Sequence, residues 1–208
     1  MPSAVSQSAD CLAMMTRGTL LQEVRNKHRE NRVHIPDGFI SAPVAVGAAV
    51  VAVAGVTVAV RGARRTLDDR TAPLAGLVAV FLFAAQMINF PVGAGTSGHL
   101  IGAALAAILV GPYAAALALT VVLLVQALLF ADGGLTALGL NIVNMAIIGT
   151  VVAWFVFRGV VRTFGPGRTS VFAGAWLAGL LSVLGAVTGF LVEFSLGGTT
   201  AVDLGSVV

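Results

Sequence analysis

Four windows of this chain contain no Asp, Glu, Lys or Arg: residues 38–60, 71–131, 133–157 and 169–192, of 23, 61, 25 and 24 residues. A helix that crosses the hydrocarbon core of a bilayer needs about 20 apolar residues. The windows therefore hold one, three, one and one such helices. The chain as a whole is 58% hydrophobic and 10% charged, with mean hydropathy +0.98. Soluble domains carry roughly 25% charged residues, so this chain cannot cover a water-facing surface and needs lipid as its solvent. No stretch shows the alternating polar and apolar period of a β-barrel. The fold class is thus all-α: a polytopic membrane helix bundle with six predicted spans.

The spans are expected at about 43–60, 73–90, from 96 or 97 to 111, 112–130, 140–157 and 171–194. Gly111-Pro112 separates the third from the fourth. Thr96 or Ser97 serves as the third span's N-cap, which puts His99 in or near its first turn. Arg61, Arg64, Arg65 and Arg70 follow span one, and Arg158, Arg162 and Arg168 follow span five. With alternating spans both loops fall on one side, and the positive-inside rule makes that side cytoplasmic. His34, the GTSGH loop and the ADGG loop then face outside. The basic residues are few and sit between spans, so they set topology and do not mark a nucleic-acid partner. Five more basic residues lie in residues 1–32 and would break the rule.

Cys11 is the only cysteine, which leaves neither a disulfide framework nor a CxxC site. The histidines are His28, His34 and His99. His34 and His99, on the same membrane face, could converge on one metal ion, or could be interfacial imidazoles bonded to loop backbone. GAGTSG at 93–98 fits the dinucleotide pattern but follows a membrane helix, without the strand that pattern requires. GTSG resembles an intramembrane serine-protease motif, yet no histidine follows His99 to act as base. Gln86, Asn89, Gln126, Asn141, Asn144 and Glu193 lie in or beside spans; most of them read as interhelical hydrogen-bonding groups. Asn89 and Asn141 could support the histidines from behind, with Ser97 beside them. Asp37 and Asp132 could draw cations to the outer mouth, and Glu193 reads as interfacial. Ala45, Ala49, Gly55 and Ala59 would let span one approach either a partner or its own bundle closely.

HIPDGFIS at 34–41, QMINFPV at 86–92, GTSGHLIGAALAAILVGP at 95–112 and QALLFADGGLTALGLNIVNMAIIG at 126–149 resemble the CbiM/NikM family. Its members are the substrate-binding components of energy-coupling factor transporters for cobalt and nickel. The resemblance covers about residues 33–195. It implies a four-nitrogen site for Co(II) or Ni(II) as transported substrate: a terminal amine, the next backbone nitrogen, that residue's imidazole and a later histidine. Carried over, these are the amine of Val33, the backbone and ring of His34, and the ring of His99. An all-nitrogen planar set suits Ni(II) and can hold Co(II) where the protein fixes the geometry.

Family members begin Met-His, whereas here 32 residues precede Val33. Val33 is therefore expected to be a GTG-encoded initiator read as methionine. Residues 1–32 would then be an extension absent from the mature protein, and 33–208 the transmembrane metal-binding domain. Family members have seven spans, so the last is expected to be missing. The implied partners are a transmembrane coupling protein, two cytoplasmic ABC ATPases and a small accessory membrane subunit, in a bacterial inner membrane with the metal site outside. No Walker motif occurs in this chain. A secondary transporter or channel is the competing class, but none of the ionisable groups it wants near the midplane lies between Arg70 and Asp132. An enzyme would want a paired acid and base or a nucleophile set, which is lacking.

Overall fold

A computed structural model describes residues 34–199, apart from 36, 89, 94 and 95. Helix α1 is Ala42–Thr66 and α2 is Thr71–Gln86. A short antiparallel hairpin follows, β1 Phe90–Gly93 and β2 Thr96–Gly98. Helix α3 is Ala103–Leu129, α4 is Leu138–Phe164 with a π-helical stretch at Ile142–Ile148, and α5 is Arg168–Gly197. Four of these, α1, α3, α4 and α5, are long and apolar enough to cross a membrane; α2, at 16 residues, is shorter. The helical bundle of the sequence reading therefore holds, with four helices of spanning length and one small hairpin among the described residues.

The difference from the expected span boundaries has physical causes. Helix α1 runs past residue 60 because Arg64 and Arg65 sit in its last turn, where cations favour the negative end of the helix dipole. Helix α2 stops at Gln86, and the hairpin takes up the Gly-rich segment. Neither Thr96 nor Ser97 caps a helix: α3 begins at Ala103 after Gly102, whose φ of 75° suits a residue without Cβ.

Helix α3 reverses direction within itself. Gly111 has φ 79° and ψ 166°, outside helical geometry, and Pro112 cannot donate the next hydrogen bond. A straight 27-residue helix would be about 40 Å long, so its two ends could not meet the same side chain. Yet His99, just before α3, and Asp132, just after it, both flank His34. Thr66, Gly111, Pro112, Tyr113 and Trp154 line one apolar groove at the far end of α1. Residues 103–110 therefore run away from the His34 end, and 112–129 run back. The guanidinium of Arg158 lies 5.5 Å from the Trp154 ring at that far end, an arrangement typical of a bilayer interface.

Small residues bring the helices together. Ala45, Ala52, Ala59 and Ala63 form the buried stripe of α1. A Cβ on Gly139 would lie 2.6 Å from the Ala49 Cα, so α1 and α4 touch backbone to backbone. Gly55 is filled by Ile147. Of the two uses open to the small residues of span one, these contacts are packing within the bundle. The outward face of α1 is valine instead: Val46, Val50, Val53 and Val58 are exposed.

Candidate metal site

The segment 34–41 is stitched onto the end of α5, the loop after α3 and the first turn of α4. Ser41 N–H donates to the Gly197 carbonyl at 2.7 Å and Thr199 N–H to the Phe39 carbonyl at 3.1 Å. Gly134 N–H donates to the Ile35 carbonyl at 2.9 Å, and Ile35 N–H to Asn141 Oδ1 at 3.3 Å. Asp37 accepts from the Thr136 N–H at 2.8 Å and the Thr136 hydroxyl at 2.6 Å. Asp37 thus latches the loop after α3, a structural use that its expected role as a cation attractor did not include.

These bonds hold His34 inward, 5% exposed. Its Nδ1 lies 3.2 Å from Asp132 Oδ2 without the alignment of a hydrogen bond, and neither ring nitrogen has a hydrogen-bond partner among the described residues. Buried polar groups are almost always satisfied, so such a ring asks for an ion or water. Its neighbour is His99, with ring centroids 5.1 Å apart and planes tilted by 59°. Two imidazoles bound to one metal at about 2 Å would have centroids roughly 4.5–5.2 Å apart when they sit in adjacent positions. The observed spacing needs little adjustment to fit.

His99 is positioned by a polar chain within the helices. Gln126 Nε2 donates to Gln86 Oε1 at 3.0 Å, and Gln86 Nε2 donates to the Ile101 carbonyl at 2.8 Å. Both glutamines are fully buried. His99 Nδ1 lies 3.1 Å from the Leu100 carbonyl; as the donor there, it leaves the Nε2 lone pair for a metal. Burial pushes the His99 pKa down to about 4, helped by the neighbouring His34 and opposed by the Leu100 carbonyl and Asp132. The neutral ring is the one the fold stabilises. That stability is present above the ordinary histidine value and is lost as pH falls from there towards 4. In the metal-free protein the His99 ring is expected to stay neutral at pH 6 and to titrate near 4; a nitrogen chemical-shift titration with a midpoint at or above the ordinary 6.5 would contradict this.

Among the described residues no group of three or more His, Cys, Asp and Glu is arranged to hold a metal ion. The side-chain donors are two imidazoles with Asp132 at their edge, so a metal held there would draw its further ligands from backbone, water or residues outside those described. Of the remaining expected site residues, Val33 and Asn89 lie outside the described residues, as does the 1–32 extension, and only the backbone of Ser97 is described, in β2. Asn141 stands at the site through its bond to Ile35. Asn141→Ala would strand that N–H and loosen the segment bearing His34; metal affinity is expected to fall about tenfold, as read by equilibrium titration. What the sequence reading missed is that Asp132 reaches His34 directly. Asp132 stands between two residues with positive φ, Ala131 at 51° and Gly133 at 93°; the available signal was the turn-forming Asp-Gly-Gly run at 132–134.

Residues 34–208 match the model of CbiM, the cobalt uptake substrate-specific transmembrane region. The chain belongs to the CbiM family. It is 41% identical over 151 residues to a fused nickel transport protein, NikMN, of Rhodobacter capsulatus, covering 71% of this chain and 44% of that one. It is 41% identical over 135 residues to the cobalt transport protein CbiM of Geobacter sulfurreducens, covering 64% of this chain and 35% of that one. The chain thus spans less than half the length of these two relatives. A crystal structure of a transition metal transporter superposes with TM-score 0.70 at 32% identity, covering 78% of this chain and 70% of that chain. The His34 and His99 segments fall within the family match.

Proposed function

We propose that this CbiM-family chain is the membrane subunit that captures Co(II) or Ni(II) as the substrate of an energy-coupling factor transporter. The observation that carries the reading is the buried His34 ring, without hydrogen-bond partners among the described residues and 5.1 Å from His99. Two imidazoles leave further positions on the ion open. The amine of position 33 and the His34 backbone nitrogen fill them if the mature chain begins at 33, completing a nitrogen-rich set suited to these ions.

His34 and His99 sit at one end of the bundle. Arg61, Arg64 and Arg65 in the last turns of α1, with Arg158 and Arg162 in the last turns of α4, lie at the other. The positive-inside rule then puts the arginines in the cytoplasm of a bacterial inner membrane and the metal site outside. The reversal at Gly111 returns the chain to the outer end before α4, which keeps the arginines that end α1 and those that end α4 on one side. The chain binds and does not catalyse: ATP hydrolysis falls to two cytoplasmic ATPases, coupled through a transmembrane partner, with a small accessory membrane subunit.

Intact mass and N-terminal sequencing of the purified protein, with metal counted after stoichiometric loading, test this reading. One tightly held Co(II) or Ni(II) per chain that begins Met-His supports it in full. A chain that begins at Met1 and still holds the ion removes the amine ligand alone, and a chain that holds no ion contradicts the reading.

A further inference from the structure

At the arginine-bearing end of the bundle, the reversal of α3 leaves a groove of about 450 Å³. It is walled by Pro112 and Tyr113 of the reversal, by Val151, Trp154 and Phe155 of α4, and by Thr66 at the end of α1. The Tyr113 ring leans on α1, where a Cβ on Gly62 would lie 2.4 Å from it. The lining is aliphatic and aromatic except for the Thr66 and Tyr113 hydroxyls, and Thr66 already donates to the Gly62 carbonyl at 3.1 Å. Tyr113, Val151 and Phe155 are exposed, so the trough opens on the outside of the bundle.

The mouth of this trough is cationic. Arg158 stands one helical turn beyond Trp154, with its guanidinium 5.5 Å from the Trp154 ring. Arg65 immediately precedes Thr66. Four arginines between 61 and 70 and three between 158 and 168 gather at this end, against Asp68 and Asp69 alone. Asp68 Oδ1 is already engaged, accepting from the Arg70 N–H at 3.0 Å and from the Thr71 N–H and hydroxyl, both at 2.7 Å. No arginine is ion-paired to an aspartate among the described residues. The positive-inside rule accounts for the number of these charges, but not for one held over the wall of an apolar groove.

We propose that the groove binds one anionic phospholipid of the surrounding bilayer, with an acyl chain in the trough and the phosphate against Arg158. Charge selects this occupant. An apolar helix from a second copy of the chain would fill the trough but leave the guanidinium without an anion, whereas such a lipid brings hydrocarbon and anion in one molecule. Basic pockets between membrane helices recognise anionic headgroups in this way. The inference does not depend on the metal-binding reading of His34 and His99.

The test is fluorescence quenching of the purified full chain in phosphatidylcholine nanodiscs at matched salt. The chain has two tryptophans, so Trp176→Phe leaves Trp154 as the reporter of the groove. Trp154→Phe leaves Trp176, exposed on α5, as the reporter of bulk lipid. Phosphatidylglycerol or phosphatidylcholine, each brominated near the headgroup end of its chains, is titrated in. The anionic lipid is expected to quench Trp154 at about one-fifth of the mole fraction that the zwitterionic lipid needs, because one basic residue at a membrane surface shifts binding about fivefold. Trp176 should show no such preference. In the Trp154 reporter, Arg158→Gln is expected to bring the two lipids level and Arg158→Lys to keep part of the difference, with the melting temperature of each variant read alongside. Arg168→Gln, which lies outside the groove lining, should keep the preference within about twofold. Equal quenching of Trp154 by the two lipids would overturn the proposal. So would an equal loss of preference in Arg168→Gln and Arg158→Gln, which would assign it to the pooled charge of this end. Quenching of Trp176 without quenching of Trp154 would overturn it too, by showing the groove filled by protein such as a second copy.

Discussion

His34→Ala is expected to weaken Co(II) or Ni(II) binding by about 100-fold or more, since even changes to residues that merely support a ligand cost 10–100-fold. The reasoning starts from cost. The native fold holds a 5% exposed imidazole whose nitrogens lack hydrogen-bond partners among the described residues, and burying an unsatisfied polar group costs about 1–3 kcal/mol. Alanine removes that cost, so the metal-free variant should melt no lower than the native protein by the loss of this polar group, while its metal affinity collapses. Loss of affinity together with retained stability is the signature of a ligand. An imidazole that served only as interfacial packing would give the opposite pattern. Equilibrium titration and thermal unfolding on the same preparation read both.

Gly133→Val is expected to damage the same site from the side of the loop. Gly133 has φ 93°, a conformation that β-branched residues avoid, and its missing Cβ would stand 2.8 Å from the His34 Cβ and 3.3 Å from Asn141 Nδ2. Forcing such backbone costs about 1–3 kcal/mol, and relieving the contact displaces His34, whose Cβ is the nearest atom. Both melting temperature and metal affinity should therefore drop, the latter about tenfold or more, because a displaced ligand costs as much as a lost supporting residue. Gly38→Ala is the useful contrast: Gly38 also has positive φ, but nothing lies within 4 Å of its Cβ position. It should show the strain without the displacement. Equal loss of affinity in both variants would mean that backbone strain alone governs the site.

Much of the bundle was legible because hydropathy windows report solvent and not packing. Charge-free stretches locate lipid-facing segments whatever their neighbours are, and Gly111-Pro112 announces a break by backbone chemistry alone. The reversal there follows from the alternation of spans three and four, and His99 and Asp132 both standing against His34 agrees with it. Helix ends were harder. The hydrocarbon core sets how many apolar residues are needed, yet α1 continues through Arg61, Arg64 and Arg65 because arginine stems pack along helices while their heads reach polar surroundings. The sequence reading also placed His99 in or near the first turn of a helix, since Thr96 or Ser97 looks like a cap. The chain instead pairs Thr96–Gly98 with Phe90–Gly93, and Gln86 fixes the following turn through the Ile101 carbonyl. No local pattern encodes that long-range bond. The interhelical use of Gln86, Gln126 and Asn144 was foreseeable, because a polar group in lipid must find a partner, but which partner each finds is a matter of tertiary register.

X-ray absorption at the metal edge of the Ni(II)-loaded protein, at one ion per chain, addresses the central claim most directly. A nitrogen-dominated shell at about 2 Å with the outer scattering of two imidazole rings is predicted for the native chain, and of one ring for His99→Ala. A shell of oxygen or sulfur without imidazole scattering, unchanged when His34 and His99 are replaced, would contradict the assignment of these two histidines as the ligands.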